Sequence, residues 1–245
     1  MTRYIYDGSF DGLLTSIYQA YYQKDDIYDI VFEDSQEQNF LFRSTFIVTE
    51  EEKAKRVYEA IKMKISKKAL KLIFYAYLSE IPGHGIAILE YVRLGFKLGP
   101  RVDLHLSNDI VIKINNISNK VAKERHRMTG LARFEELENG IFYCAIEPDY
   151  NIVGLLAPHF ASRMSNENWI IHDVSRGIKI LYNKQEWIVT DIEIKDHLIV
   201  KQGEEAYQDL WRTYFKSIAI ENKINPKLQK KNMPRRYWKY LVEFF

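Results

Sequence analysis

The chain has 245 residues, 47% hydrophobic and 28% charged, which is long enough for a real core and too apolar for a disordered protein. One cysteine, Cys144, excludes a disulfide framework, an all-cysteine zinc site and an iron–sulfur cluster held by this chain alone. The net charge of +2 hides a gradient, since residues 1–60 carry 6 Lys/Arg against 12 Asp/Glu while residues 221–241 carry 7 Lys/Arg against the single Glu221.

MTRYIYDGSFDG opens without an apolar signal run, and no apolar stretch reaches 18 residues, so a cytoplasmic protein with no membrane contact is expected. YIYDG predicts a short strand that turns at Asp7-Gly8. Ser9 then caps a helix with Phe10, Leu13, Leu14 and Ile17 on one side. A strand is expected near 46–48. Thr49 and Glu52 read as a capping box before a helix with Ala54, Val57, Ile61 and Ile65 at helical spacing. Ser66 caps a third helix, whose stripe is Leu70, Ile73, Phe74, Tyr77 and Leu78 and which ends at Pro82-Gly83. GIAILEYVRLGFKL makes a fourth, closed by Gly99-Pro100. Residues 107–137 predict one or two more, with Gly130 as a break and Ile114, Ile117, Val121 and Met128 in period.

The pattern then changes. FYCAI, NWIIHDV, GIKILYN and EWIVTDIEI are rich in β-branched and aromatic residues. Asn183 marks a hairpin turn between the third and fourth runs. APHFASRM between the first two predicts a short helix with Pro158 near its first turn. Helices return after residue 203, aligning Tyr207, Leu210, Trp211, Tyr214 and Ile218. Asn225-Pro226 starts another, and Pro234 starts a last one. The fold class is α+β, with a helical N-terminal half and then an antiparallel sheet covered by C-terminal helices. Residues 1–245 read as a single compact domain, subdivided at most into a mainly helical 1–138 and a sheet-containing 139–245.

The basic C-terminal region carries the chemistry. Lys227, Lys230, Lys231, Arg235, Arg236 and Lys239 could neutralise several phosphates, and Tyr237 or Trp238 could stack on a base. Arg235 and Lys239, four apart, would share a helix face. A second basic stretch, residues 113–133, holds six Lys/Arg against one acid, Glu124. Within it Lys120, Lys123 and Arg127 fall on one side of a helix, with Arg125, Arg133 and His126 alongside. The expectation is that the two stretches border one groove.

Other motifs are weaker. His159 and Arg163 lie four apart at an expected helix start, which suits an anion. His172-Asp173 is adjacent on a strand, so the two side chains face opposite ways and a direct dyad is not expected. Asp173 with Glu193 and Lys195 loosely matches a metal-nuclease pattern, but a one-sided strand reads the same way. Cys144 reads as a buried small residue and PGHG at 82–85 as a turn. The six histidines show no metal-ligand spacing, so neither a metal nor a cofactor is predicted.

Five segments together carry a family resemblance: YDGSFDGLL, LSEIPG, ERHRMTGLARFEEL, APHFASRMSNENWIIHD and LWRTYFKSIAIENKINPKLQKKNMPRRYWKYL. They resemble a bacterial family ascribed to DNA repair or DNA metabolism, built on a domain of unknown function. That domain is similar to the N-terminal module fused to family-4-type uracil-DNA glycosylases, and its members accompany a radical-SAM DNA repair protein. The resemblance implies a place in DNA metabolism but maps no catalytic residue. It also implies that a glycosylase or radical-SAM partner, rather than this chain with its one cysteine, supplies any iron–sulfur chemistry.

The expected function is therefore a DNA-associated accessory protein that assists such an enzyme. One alternative is an enzyme acting on a nucleotide or damaged base, with His126, His159, Arg163 and His172 lining its pocket. Another is a docking module that binds protein alone. Without a catalytic motif, the sequence leaves open whether the chain is an enzyme.

Overall fold

Asp7 organises the first turn of the chain. Its Oδ1 accepts from the Ser9 amide at 3.0 Å and the Ser9 hydroxyl at 2.7 Å, and Ser9 Oγ accepts from the Gly12 amide at 2.9 Å. A Cβ at Gly12 would stand 2.2 Å from Asp7 Oδ1, so the turn requires glycine there. The structure, a computed structural model, describes residues 2–23, 26–33, 43–192, 199–218 and 225–244. It divides into two compact units, Met1–Ala122 and Lys123–Phe245.

The first unit contains β1 (Thr2–Tyr6), α1 (Phe10–Tyr22), β2 (Ile27–Phe32), β3 (Arg43–Phe46) and α2 (Glu51–Ala60). A π turn at Ile61–Ile65 prolongs α2. Then come α3 (Lys67–Tyr77), α4 (His84–Leu98), a 3-10 turn at Gly99–Leu104, and α5 (Asp109–Leu131). The three strands form a parallel sheet in the order β2-β1-β3, with Tyr4 opposite Ile30 and Thr45. Its core joins Tyr4, Leu13 and Ile30 to Ile61, Ile73 and Ile88, all buried. Gly85 opens α4 where a Cβ would meet the Ile30 carbonyl oxygen at 2.1 Å, so the helix can lie against β2 only with glycine there.

Ser9 and Ser66 cap α1 and α3 as expected, each hydroxyl accepting an amide three residues on. The capping box at Thr49 does not form. Thr49 instead donates to Asp7 Oδ2 at 2.8 Å, and α2 starts at Glu50 without a side-chain cap. Nor does Gly130 break α5, which is one continuous helix. Gly130 costs that helix about 1 kcal/mol relative to alanine, and the buried Met128 and Leu131 on either side hold it.

The second unit begins within α5. It contains β4 (Glu135–Glu136), β5 (Phe142–Ile146), α6 (Val153–Arg163), β6 (Asn168–Asp173), β7 (Ile178–Asn183) and β8 (Trp187–Thr190), then α7 (Glu204–Ser217) and α8 (Pro226–Asn232). The five strands pair in chain order. β5 and β6 are parallel, joined through α6; the other pairs are antiparallel. The sheet is thus mixed rather than wholly antiparallel, because an intervening helix carries the chain back to the same sheet end, as parallel pairing requires. Trp169 and Tyr182 stack in its core at 5.0 Å. The β7–β8 hairpin turns where expected, with Asn183 Oδ1 accepting from the amides of Gln185 and Glu186.

α6 starts five residues before Pro158, not at it. An interior proline leaves the carbonyl four residues back without its helical donor and crowds it. That residue is Gly154. The terminal segment also departs from expectation. Residues Arg235–Tyr240 and Val242–Phe244 are 3-10 turns rather than an α-helix, with amides bonded three residues back at Tyr237, Leu241 and Phe244.

Candidate nucleic-acid interface

Glu124, the one acid in the basic stretch of α5, is buried. It accepts from the amides of Asp149 and Tyr150 at 2.8 and 2.9 Å and from the Tyr237 hydroxyl. Arg236 approaches it at 3.8 Å and pairs with Asp149 at 2.6 Å. The last turns of α5 and the segment 235–240 therefore meet within the second unit, around a carboxylate.

That meeting consumes several of the expected DNA contacts. Arg133 makes two hydrogen bonds to Glu243, at 2.6 and 3.3 Å, and lies over the Trp211 ring. Lys239 pairs with Glu147, which also accepts from Tyr240 at 2.6 Å. These two bonds hold the Glu147 carboxyl below its ordinary range. Arg133, Arg236 and Lys239 are thus ion-paired parts of the scaffold. Tyr237 is buried and cannot present its ring to a base. Trp238 has Phe244 stacked on it at 4.2 Å, 3° from parallel, and donates its indole N–H to the Met233 carbonyl. In a 3-10 turn residues three apart eclipse, so Arg235 lies over Trp238 and does not share a face with Lys239.

The remaining cations are differently placed. Lys123 and Arg125 are exposed on α5 and Arg127 is half-buried. Lys227, Lys230 and Lys231 on α8 are exposed, as is Arg235. Among the described residues none of these seven has a carboxylate partner. Lys120 is exposed too, but belongs to the first unit. The profile of the family described as Domain of unknown function (DUF4130) matches residues 82–243. The chain belongs to that family. Comparison with curated proteins finds no match.

All seven unpaired cations lie inside the DUF4130 match, and so do the histidines singled out from the sequence. His126 is exposed on α5. His159 and Arg163 are exposed on α6, in its second half, where the helix dipole favours cations; the anion site expected at a helix start does not arise. His172 has its Nδ1 2.7 Å from the Tyr143 hydroxyl. Burial and nearby Lys179 push its pKa down, favouring the neutral ring. Asp173, on the opposite side of the strand, is buried and pairs with Arg176 at 3.1 Å, so there is no His–Asp dyad. Glu193 and Lys195 lie outside the described residues. Burial pushes the Cys144 thiol up to about 12, which suits a packing role.

A cleft of about 240 Å³ in the DUF4130 domain is lined by Arg133, Glu135, Tyr143, Arg212, Lys239 and Tyr240. Neither His126, His159 nor His172 lines it. Its three cations are matched by Glu243, Asp209 and Glu147, so it offers polarity more than positive charge. Sequence reasoning missed Glu124 because an acid in a basic run reads as an interruption, and Glu147 because its partners Lys239 and Tyr240 lie far along the chain.

Proposed function

We propose that this protein is a DNA-associated accessory factor of DNA repair or metabolism, working beside a separate uracil-DNA glycosylase or radical-SAM DNA repair enzyme. One observation carries the reading. Carboxylates neutralise Arg133, Arg236 and Lys239, while among the described residues Lys123, Arg125, Arg127, Lys227, Lys230, Lys231 and Arg235 have no such partner. Such cations, all exposed but the half-buried Arg127, suit a phosphate backbone, whose binding is electrostatic and insensitive to sequence. The family resemblance supports the choice of DNA and of the companion enzymes. The partner half of the reading draws on α7, whose Tyr207, Leu210 and Tyr214 form an exposed apolar stripe, the kind of face that takes a protein partner.

The deciding experiment is a gel-shift titration of duplex and single-stranded DNA at two salt concentrations. Engagement of about five duplex phosphates gives a log–log salt slope near −4.5. A flat response, or no shift at low salt, overturns the reading.

A second reading, chemistry on a nucleotide or damaged base, draws on Tyr143, which lines the cleft and contacts His172. A neutral imidazole beside a phenol that burial holds at about 12 can relay a proton without either group charging at neutral pH. Incubation with damaged oligonucleotides, compared with Tyr143→Phe, tests it.

A further inference from the structure

The first unit carries an aromatic groove outside the family match, apart from one residue. Tyr18, Tyr21 and Tyr22 are three and four apart at the end of α1, so one face carries all three. Arg56 and Ala60, four apart on α2, face them. In an uninterrupted α-helix Lys64 would drift about 80° from Arg56; the wider π turn at Ile61–Ile65 takes back part of that drift. Phe96 comes from α4, where a Cβ on neighbouring Gly95 would meet Ile65 Cδ1 at 2.5 Å. These residues line a groove of about 250 Å³, with Val57 and Ala60 among its apolar lining.

Two features distinguish it from ordinary surface. Tyr21 and Tyr22 are exposed, Tyr18 and Phe96 half-buried, and the rings hold one another in place: Tyr18 and Tyr22 lie 4.4 Å apart, and Tyr21 meets Phe96 edge-on at 5.9 Å. Tyr21 and Tyr22 are 52% and 66% exposed. Its cations are also unmatched. Lys53 and Lys62 on the same helical run pair with Glu50 and Glu59, whereas among the described residues Arg56 and Lys64, both exposed, pair with no carboxylate. Aromatic faces beside two unneutralised cations complement a planar heterocycle that carries an anion. The volume falls below the roughly 300 Å³ at which pockets for drug-sized ligands begin, which fits one nucleotide and not a dinucleotide cofactor.

We propose that this groove binds a nucleoside monophosphate unit, the base among Tyr21, Tyr22 and Phe96 and the phosphate between Arg56 and Lys64. The unit arrives either as a free nucleotide or as one residue of a single strand. The site uses none of the second unit's cations, so it stands or falls separately from the DNA reading above.

Isothermal calorimetry with dTMP and dAMP, with thymidine, deoxyadenosine and inorganic phosphate as controls, tests it. The monophosphates are expected to bind, and their nucleosides at least about tenfold more weakly. Arg56→Glu/Lys64→Glu should bring the monophosphates down to the nucleoside level. Tyr21→Ala should weaken nucleoside and nucleotide alike by about tenfold, the scale of one stacking contact. A short oligothymidylate that binds more tightly than dTMP, and loses that advantage in the charge-reversed variant, identifies a strand as the source; equal affinity identifies the free nucleotide. Absence of heat with every monophosphate and with the oligomer overturns the proposal. So do undiminished affinities in a charge-reversed variant with native circular dichroism. Arg56→Gln/Lys64→Gln gives the same reading if charge reversal disturbs folding.

Discussion

The Tyr237 hydroxyl donates to the buried carboxylate of Glu124, and Arg236, next in sequence, reaches the same carboxylate and Asp149. An acid and a tyrosine from the two most basic stretches thus form a structural link, 113 positions apart in the chain. Glu124→Ala would leave the Asp149 and Tyr150 amides without their acceptor. The expected destabilisation is at least about 1–3 kcal/mol, read as a fall in urea midpoint, with Tyr237→Phe smaller in the same direction.

The paired and unpaired cations should separate cleanly. Lys230→Glu/Lys231→Glu/Arg235→Glu is expected to weaken DNA binding and to reduce the log–log salt slope by about 0.9 for each phosphate lost. Its thermal stability should fall by only about 1 kcal/mol, since Lys230 and Lys231 end α8 and Arg235 lies over the Trp238 ring. Arg236→Glu, a single change, should lower stability further, because it sets a third acid beside Glu124 and Asp149. Equal melting of the two variants would contradict the distinction.

Arg133 and Glu243 predict an acid-sensitive clasp. Burial works against ionising Glu243, but Arg133 and the Trp211 indole N–H outweigh it and hold the carboxyl below its ordinary value of 4.5. A depressed carboxylate pKa contributes stability that is complete above 4.5 and lost as pH falls through the folded value. Arg133→Met should remove that acid-range loss, and at neutral pH cost about 1–3 kcal/mol for the carboxylate left unpaired. Urea melts from pH 7 down to pH 3 read both effects.

His84 and His172 predict a second pH window. Burial lowers both pKa values from 6.5, with Lys179 adding to the effect at His172. The unfolded chain then binds protons that the folded chain refuses, so stability should decline as pH drops below 6.5 and level off once the folded rings protonate. His172→Gln should make that decline shallower without abolishing it.

Gly85→Ala is expected to destabilise the first unit by about 1–3 kcal/mol or more, because the new methyl meets a backbone carbonyl that cannot swing aside. Gly140→Ala, where a Cβ would have open space, should cost only the strain of its positive φ. The two variants compared by chemical denaturation check the steric account.

Much of this was legible in the residues. The caps at Ser9, Ser66 and Asn225 formed because short hydroxyl and amide side chains bond locally, whatever the tertiary context. Period also told truly where one face is buried: Ala54, Val57, Ile61 and Ile65 all point inward. Long-range partners were not legible. Thr49 abandoned its helix for Asp7, 42 residues away. The parallel pairing of β5 with β6 depends on α6 returning to the sheet, which no local signal states. At the site, spacing revealed the cations, but not which of them meet carboxylates.

Trp169 and Trp238 were met above as stacked rings, and the remaining tryptophans, Trp187 and Trp211, belong to the same unit. Indole emission excited at the red edge, where tyrosine is silent, therefore reports on that half of the molecule alone. Circular dichroism sees both halves, so a mismatch between the two melting curves would reveal whether they unfold together.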